Sequence, residues 1–137
     1  VGIFIVVAIQ FFGPRPTNPP VRVEISAPDS VRTLLHRACY NCHSNETQWP
    51  WYSRVAPVSW FVVGHVNEGR GDLNFTEWPV LDIEEQNEAY GDIRRQIEKH
   101  KMPLRSYTWM HPEARLTDEE RATIIAWARS AGGPESR

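Results

Sequence analysis

Cys39-Tyr40-Asn41-Cys42-His43 sets two thiols and an imidazole within five consecutive positions. Thiols so spaced can add across two vinyl groups of one flat macrocycle and become thioethers. One turn of helix between them puts both sulfurs along one edge of the ring. The adjoining imidazole then offers a ring nitrogen to an iron at the centre. C-x-x-C-H is for this reason the attachment pattern of a c-type haem. Covalent attachment suits a small domain, because the ring stays in place even with one edge in water. Three other uses of the pair compete. A zinc site needs a fourth ligand, for which His36, His65, His100 or His111 is available. A redox C-x-x-C of the thioredoxin kind needs a preceding βαβ unit, and none is patterned here. A disulfide across a three-residue step closes a strained loop.

An iron held from one side by His43 takes a second ligand from the other side in a six-coordinate carrier. Met102 is the leading candidate. It falls in a loop, and Pro103 behind it lacks a backbone N–H and stiffens the turn, which helps to aim a thioether sulfur. Without a haem, a loop methionine is ordinarily a gap-filler in the core. Met110, His65, His100 and His111 are the alternative ligands.

The elements that must position these groups read as helices. Ser26-Ala27-Pro28-Asp29 opens the first, with Ser26 able to cap and Pro28 in the first turn. Val31, Leu34, Leu35 and Ala38 share one face of it, and it delivers Cys39. A second helix is predicted from Pro57 to Glu68, ended near Gly69 and Gly71. A third runs from Asp82 to about His100, with Tyr90, Ile93 and Ile97 as a thin apolar stripe. Its acidic run, Asp82, Glu84, Glu85 and Glu88, reads as a solvated face or a docking patch for a basic partner. A fourth opens at Thr117 with Glu120 three residues on, a capping box, and ends at Gly132-Gly133. Val21, Val23 and Ile25 alternate with Arg22 and Glu24, enough for a short extended segment and too little for a sheet.

Composition bounds the rest. The formal charge is −2, without a bias toward nucleic acid. Two cysteines are too few for a disulfide scaffold, so a core or a cofactor must hold the fold. Six tryptophans are a surplus for 137 residues; they fit either the filling of a small core or the covering of a large flat cofactor. Val1 to Phe12 is uncharged, with Gln10 its only polar side chain, and reads as the end of a longer membrane-anchor helix rather than a cleaved leader. Gly13-Pro14-Arg15-Pro16-Thr17-Asn18-Pro19-Pro20 then reads as an extended linker that holds the domain off the membrane. The division is 1–13 as anchor, 14–25 as linker and 26–133 as the haem-binding domain. No phosphate-cradling glycine loop and no acid–base or nucleophilic machinery stands out.

Beyond single residues, longer stretches carry a likeness. Ala38 through Thr47, Trp49-Pro50-Trp51-Tyr52, Ala56 through Trp60, His65-Val66, Glu68-Gly69-Arg70, Leu73-Asn74-Phe75 and Trp78 form one part of it. Met102-Pro103, Tyr107, His111-Pro112, Ala114 and Leu116 through Glu120 form the other. Together they resemble the haem-binding domain family of bacterial monohaem c-type cytochromes, from about Pro20 to Arg129. The resemblance implies an all-α, cytochrome c-like domain around one covalent haem c, in which the helix before the motif crosses the C-terminal helix. Leu34 and Leu35 would then pack on Ile124, Ile125 or Ala128. It also implies a site outside the cytoplasmic membrane, on the periplasmic side, behind an anchor. Trp49, Trp51 and Tyr52 of one loop and Asn74, Phe75 and Trp78 of another are candidates for the walls of the cofactor site, and Tyr107 is a further cofactor-binding candidate; Trp60 and Arg70 either reach its propionates or are a core tryptophan and a solvated arginine.

Methionine and histidine on iron leave no open position for a substrate, and this pair raises the reduction potential. The expectation is therefore an electron carrier rather than an enzyme, a membrane-tethered cytochrome whose partners are redox proteins, within a respiratory or photosynthetic complex. The alternatives are a haem sensor or peroxidase-like protein with a labile sixth ligand, and a subunit in which the haem is a structural brace.

Overall fold

Apolar residues at helical spacing give an all-α chain. The computed structural model describes residues 2–78 and 82–133. Seven helices run in order through these: α1 (Gly2–Ile9), α2 (Asp29–Ala38), α3 (Tyr40–His43), α4 (Val58–Asp72), α5 (Ile83–Glu98), α6 (Arg105–Met110) and α7 (Asp118–Ala131). Two 3₁₀ turns, Trp51–Arg54 and Pro112–Ala114, sit in the connections. Extended pairing among the described residues is limited to one parallel bridge, Val23 to Glu77. Beside it the Arg22 and Val23 N–H groups donate to the Thr76 carbonyl and Ile25 N–H donates to that of Phe75.

The core forms where α2, α5 and α7 meet. The most extensive helix packing is between α5 and α7, and α2 packs on both α3 and α7. Leu34, Leu35, Ile124 and Ala128 lie in one buried cluster, with Ile125 packed on its edge, so the predicted contact between the helix before the motif and the C-terminal helix is present. Tyr90 joins the aromatic part of this core, tilted against Trp78 at 4.9 Å and edge-on to Trp127 at 5.4 Å between ring centroids. Only burial of that stripe gives α5 a reason to stay: its outer face is almost entirely charged.

Helix ends follow the local chemistry in two cases and not in two others. Thr117 and Glu120 form the capping box expected of them, and Asp82 caps α5 by accepting from Glu85 N–H. Ser26, by contrast, makes no cap: α2 starts behind Pro28 with no side-chain bond to its first turn. And α4 does not stop at Gly69 but continues through Gly71 to Asp72.

The N-terminal segment departs most from expectation. The helix covers Gly2–Ile9, eight residues, which at 1.5 Å each is about 12 Å against a hydrocarbon core of about 30 Å. Among the described residues no helix is long and apolar enough to cross a membrane. The expected anchor over 1–13, the cell-membrane location and the periplasmic placement drawn from it are thus corrected; Val1 itself lies outside the described residues. After Ile9 the chain is drawn onto the domain. The Gln10 side chain accepts from Ala56 N–H at 2.9 Å and donates to Ala56 O at 3.2 Å. Gly13, at φ +99°, turns against Trp60; a Cβ there would come within 2.2 Å of the indole nitrogen. Within the proline-rich stretch, Asn18 donates to Thr47 O and Thr17 O accepts from Arg70, both at 2.9 Å.

Candidate functional site

The motif residues sit on α3, a single turn that packs on α4. Cys39 packs against the core cluster, and neither cysteine is bonded to the other. Burial holds both thiols protonated: it pushes Cys39 up to about 12, with the neighbouring Cys42 adding to the effect, and raises Cys42 as well. A reactive redox cysteine needs the opposite, a lowered thiol in an electropositive setting.

His43 is oriented by α4. Its Nδ1 lies 2.8 Å from the Gly69 carbonyl and 3.0 Å from that of Leu73. Both partners only accept, so Nδ1 carries a proton, and in the neutral ring the lone pair is then on Nε2. That is how a metal-ligating histidine is usually held, with its second nitrogen fixed by a backbone carbonyl. The carbonyl is within reach because position 69 is glycine: a Cβ there would meet the Cys42 carbonyl oxygen at 2.6 Å. So Gly69, which reads in sequence as a helix terminator, is where helix and motif touch backbone to backbone.

Three adjoining cavities meet at the motif. One of 290 Å³ is lined by Cys39, Cys42, His43, His65, Met102 and Tyr107, among others. A second of 290 Å³, on the core side, again includes Cys39, His43 and Met102, with Leu35, Ile97 and Ile124. The third, of 510 Å³, is reached through Cys42, His65, Leu104 and Tyr107 and extends to Trp49, Tyr52 and His111. Met102 therefore lines the same two cavities as His43 and Cys39. Its main chain is pinned from two helices: Met102 N–H donates to the Gln96 carbonyl at 3.3 Å, and its own carbonyl accepts from Arg121 at 3.1 Å.

The other predicted site residues divide. Trp49, Tyr52 and Tyr107 line the largest cavity, as do Met110, His65 and His111. Trp51 is 77% exposed, set edge-on against Tyr52, and outside the cavities. Trp60 is engaged by the N-terminal segment, its Nε1–H donating to Phe12 O at 3.0 Å. Arg70 is engaged by loops: it donates to Ser44 O, Thr17 O, Asn18 Oδ1 and Thr47 Oγ1 at 2.7 to 2.9 Å, with Trp49 stacked 5.8 Å from its guanidinium carbon. His36 stacks on Tyr40 and pairs with Glu24, and His100 is an exposed residue at φ 53° after α5. Among the described residues no group of three or more His, Cys, Asp or Glu is placed to hold a metal ion, so the zinc arrangement is not met.

Sequence reasoning missed three contributors. The carbonyls of Gly69 and Leu73 are backbone groups with no residue-type signature. Helix α6, which carries Tyr107 and Met110 to the cavity, is six residues long and has no buried residue to give it a stripe. Asn41, between the cysteines, braces the next loop: its Oδ1 accepts from Gln48 N–H and its Nδ2 donates to the Tyr107 hydroxyl.

This donor set fits an iron porphyrin: two neutral thiols on one turn, an imidazole with a free Nε2, a thioether sharing its cavities, and apolar walls. Comparison with known proteins agrees. A family model described as a haem-binding domain matches residues 4–130. No curated protein and no solved structure matches the chain.

Proposed function

The chain belongs to the haem-binding domain family, and from that premise we propose that it is a monohaem c-type cytochrome that carries single electrons between redox proteins and is not itself an enzyme. Haem is its cofactor; the covalent bond and the electron-carrying role are our reading. The observation that carries this reading is His43, with Nδ1 tied to the Gly69 and Leu73 carbonyls, which leaves Nε2 as its ligating nitrogen.

The chain's own groups divide the work. Cys39 and Cys42 would hold the haem as thioethers, each thiol adding its sulfur and its hydrogen across one vinyl group with nothing lost. His43 and Met102 would hold the haem iron, Met102 being supported by the cavities it shares with His43 and Cys39. Bound haem supplies one-electron exchange at its iron; the protein supplies burial, orientation and ligands. With His43 and Met102 both given to the iron, no place would be left for a substrate, which favours electron transfer.

The test is spectroscopic. The matured protein should keep its pigment in acid acetone and show, when oxidised, the weak long-wavelength band of a thioether on iron. Met102→Ala should abolish that band while Cys39→Ala with Cys42→Ala releases the pigment. A colourless protein rejects the reading, and a Met102→Ala spectrum identical to wild type rejects Met102 as ligand.

A further inference from the structure

Haem carries two acidic side chains, and the residues first suited to meet them, Arg70 and Trp60, are committed elsewhere. Among the described residues, no lysine or arginine lines the 510 Å³ cavity next to the motif. What it does offer is Tyr107. The direction of that residue's hydrogen bond can be read without ambiguity. Asn41 Oδ1 accepts from the Gln48 backbone N–H at 2.9 Å, which fixes the orientation of the amide. Its Nδ2 is therefore the atom that faces Tyr107, at 2.8 Å, and an amide NH₂ can only donate. The Tyr107 oxygen is the acceptor, and its own hydrogen finds no acceptor among the described residues. Tyr107 lines both the 510 Å³ cavity and the 290 Å³ cavity that holds Cys39, Cys42 and His43. The hydroxyl proton, left unpaired by the protein, is thus available to a ligand that fills the cavity.

We propose that Tyr107 donates a hydrogen bond to a carboxylate of the bound haem, and that Asn41, inside the attachment turn, is the positioning residue that aims it. The inference rests on the haem reading above. It gives the second variable residue of C-x-x-C-H a role of its own, since the turn that fastens one edge of the ring also orients a donor toward its acidic groups.

Asn41→Asp tests the direction of the bond. The aspartate still accepts from Gln48 N–H but offers no donor, so the Tyr107 hydroxyl turns to it and away from the cavity. Tyr107→Phe removes the donor outright. In matured holoprotein carrying ¹³C-carboxyl haem, the reduced-minus-oxidised infrared spectrum reads the haem carboxylates alone. Both variants should shift the same carboxylate band in the same direction, with the thioether-bound pigment and its main absorption bands retained. Unmoved carboxylate bands in Tyr107→Phe overturn the proposal. So does a change confined to the thioether–iron band, which would place the hydroxyl on Met102 instead. A shift in Tyr107→Phe without one in Asn41→Asp rejects the role of Asn41. Matured protein without pigment overturns the haem reading and this inference with it, an outcome seen before any infrared measurement.

Discussion

Gly69 is the residue on which the site's geometry turns. It brings α4 onto the Cys42 backbone and supplies a carbonyl to His43 in the same contact. Gly69→Ala forces a methyl against a main-chain oxygen, which cannot rotate away. The expected cost is about 1–3 kcal/mol of unfolding free energy, the usual range for overpacking, together with a changed His43–iron stretching frequency; a Gly64→Ala control, where a Cβ meets nothing, should show neither. A second residue-scale expectation concerns pH. The Tyr40 hydroxyl, 2.8 Å from Glu24, holds that carboxyl below the ordinary range, with His36 adding to the effect against partial burial. A lowered carboxyl stabilises the fold above the unfolded value and loses that contribution as pH falls through the folded one. Urea titrations of wild type and Tyr40→Phe should therefore differ most near neutrality and converge below the carboxylate range.

At the scale of elements, α7 is the helix whose start is best specified. Its capping box satisfies backbone donors at the first turn, so Thr117→Ala should cost about 1 kcal/mol in chemical denaturation. Because α7 also holds the Met102 carbonyl through Arg121, the proposed ligation by Met102 implies that the same variant weakens the thioether–iron band on heating before the helical signal melts. This helix was legible in sequence because its signals are local: Thr117, Glu120 and an apolar stripe are all within reach of one another. The attachment turn was legible for the same reason. The end of α4 was not, because Gly69 answers to Cys42, far away along the chain, and a glycine needed for contact looks in sequence like a glycine needed to stop a helix. The tryptophans show the same limit. Trp78 and Trp127 are core, Trp51 and Trp109 are exposed, and only Trp49 of the six lines a cavity beside the motif. Residue type announced a surplus of flat side chains; only packing says which cover a site.

Across the whole molecule, Arg70 joins segments that are far apart in sequence. Its guanidinium reaches Thr17 and Asn18 before α2, and Ser44 and Thr47 behind the motif. Lysine carries a point charge with three donors and cannot serve four acceptors spread around a planar fork. Arg70→Lys should lower the unfolding free energy by about 1–3 kcal/mol, the cost of stranding acceptors that were paired. It should also speed proteolytic cutting within 14–20, a readout that a general loss of stability spread over the fold would not favour.

His43 draws its two carbonyls from residues made later than itself. At ~5–20 residues per second, Leu73 is added about 1.5–6 s after His43. For that interval the newborn chain has thiols and an imidazole but nothing to hold the imidazole still. The motif is thus at its barest before α4 exists, and the imidazole gains its two carbonyl partners only once that helix has been made and has folded back onto it.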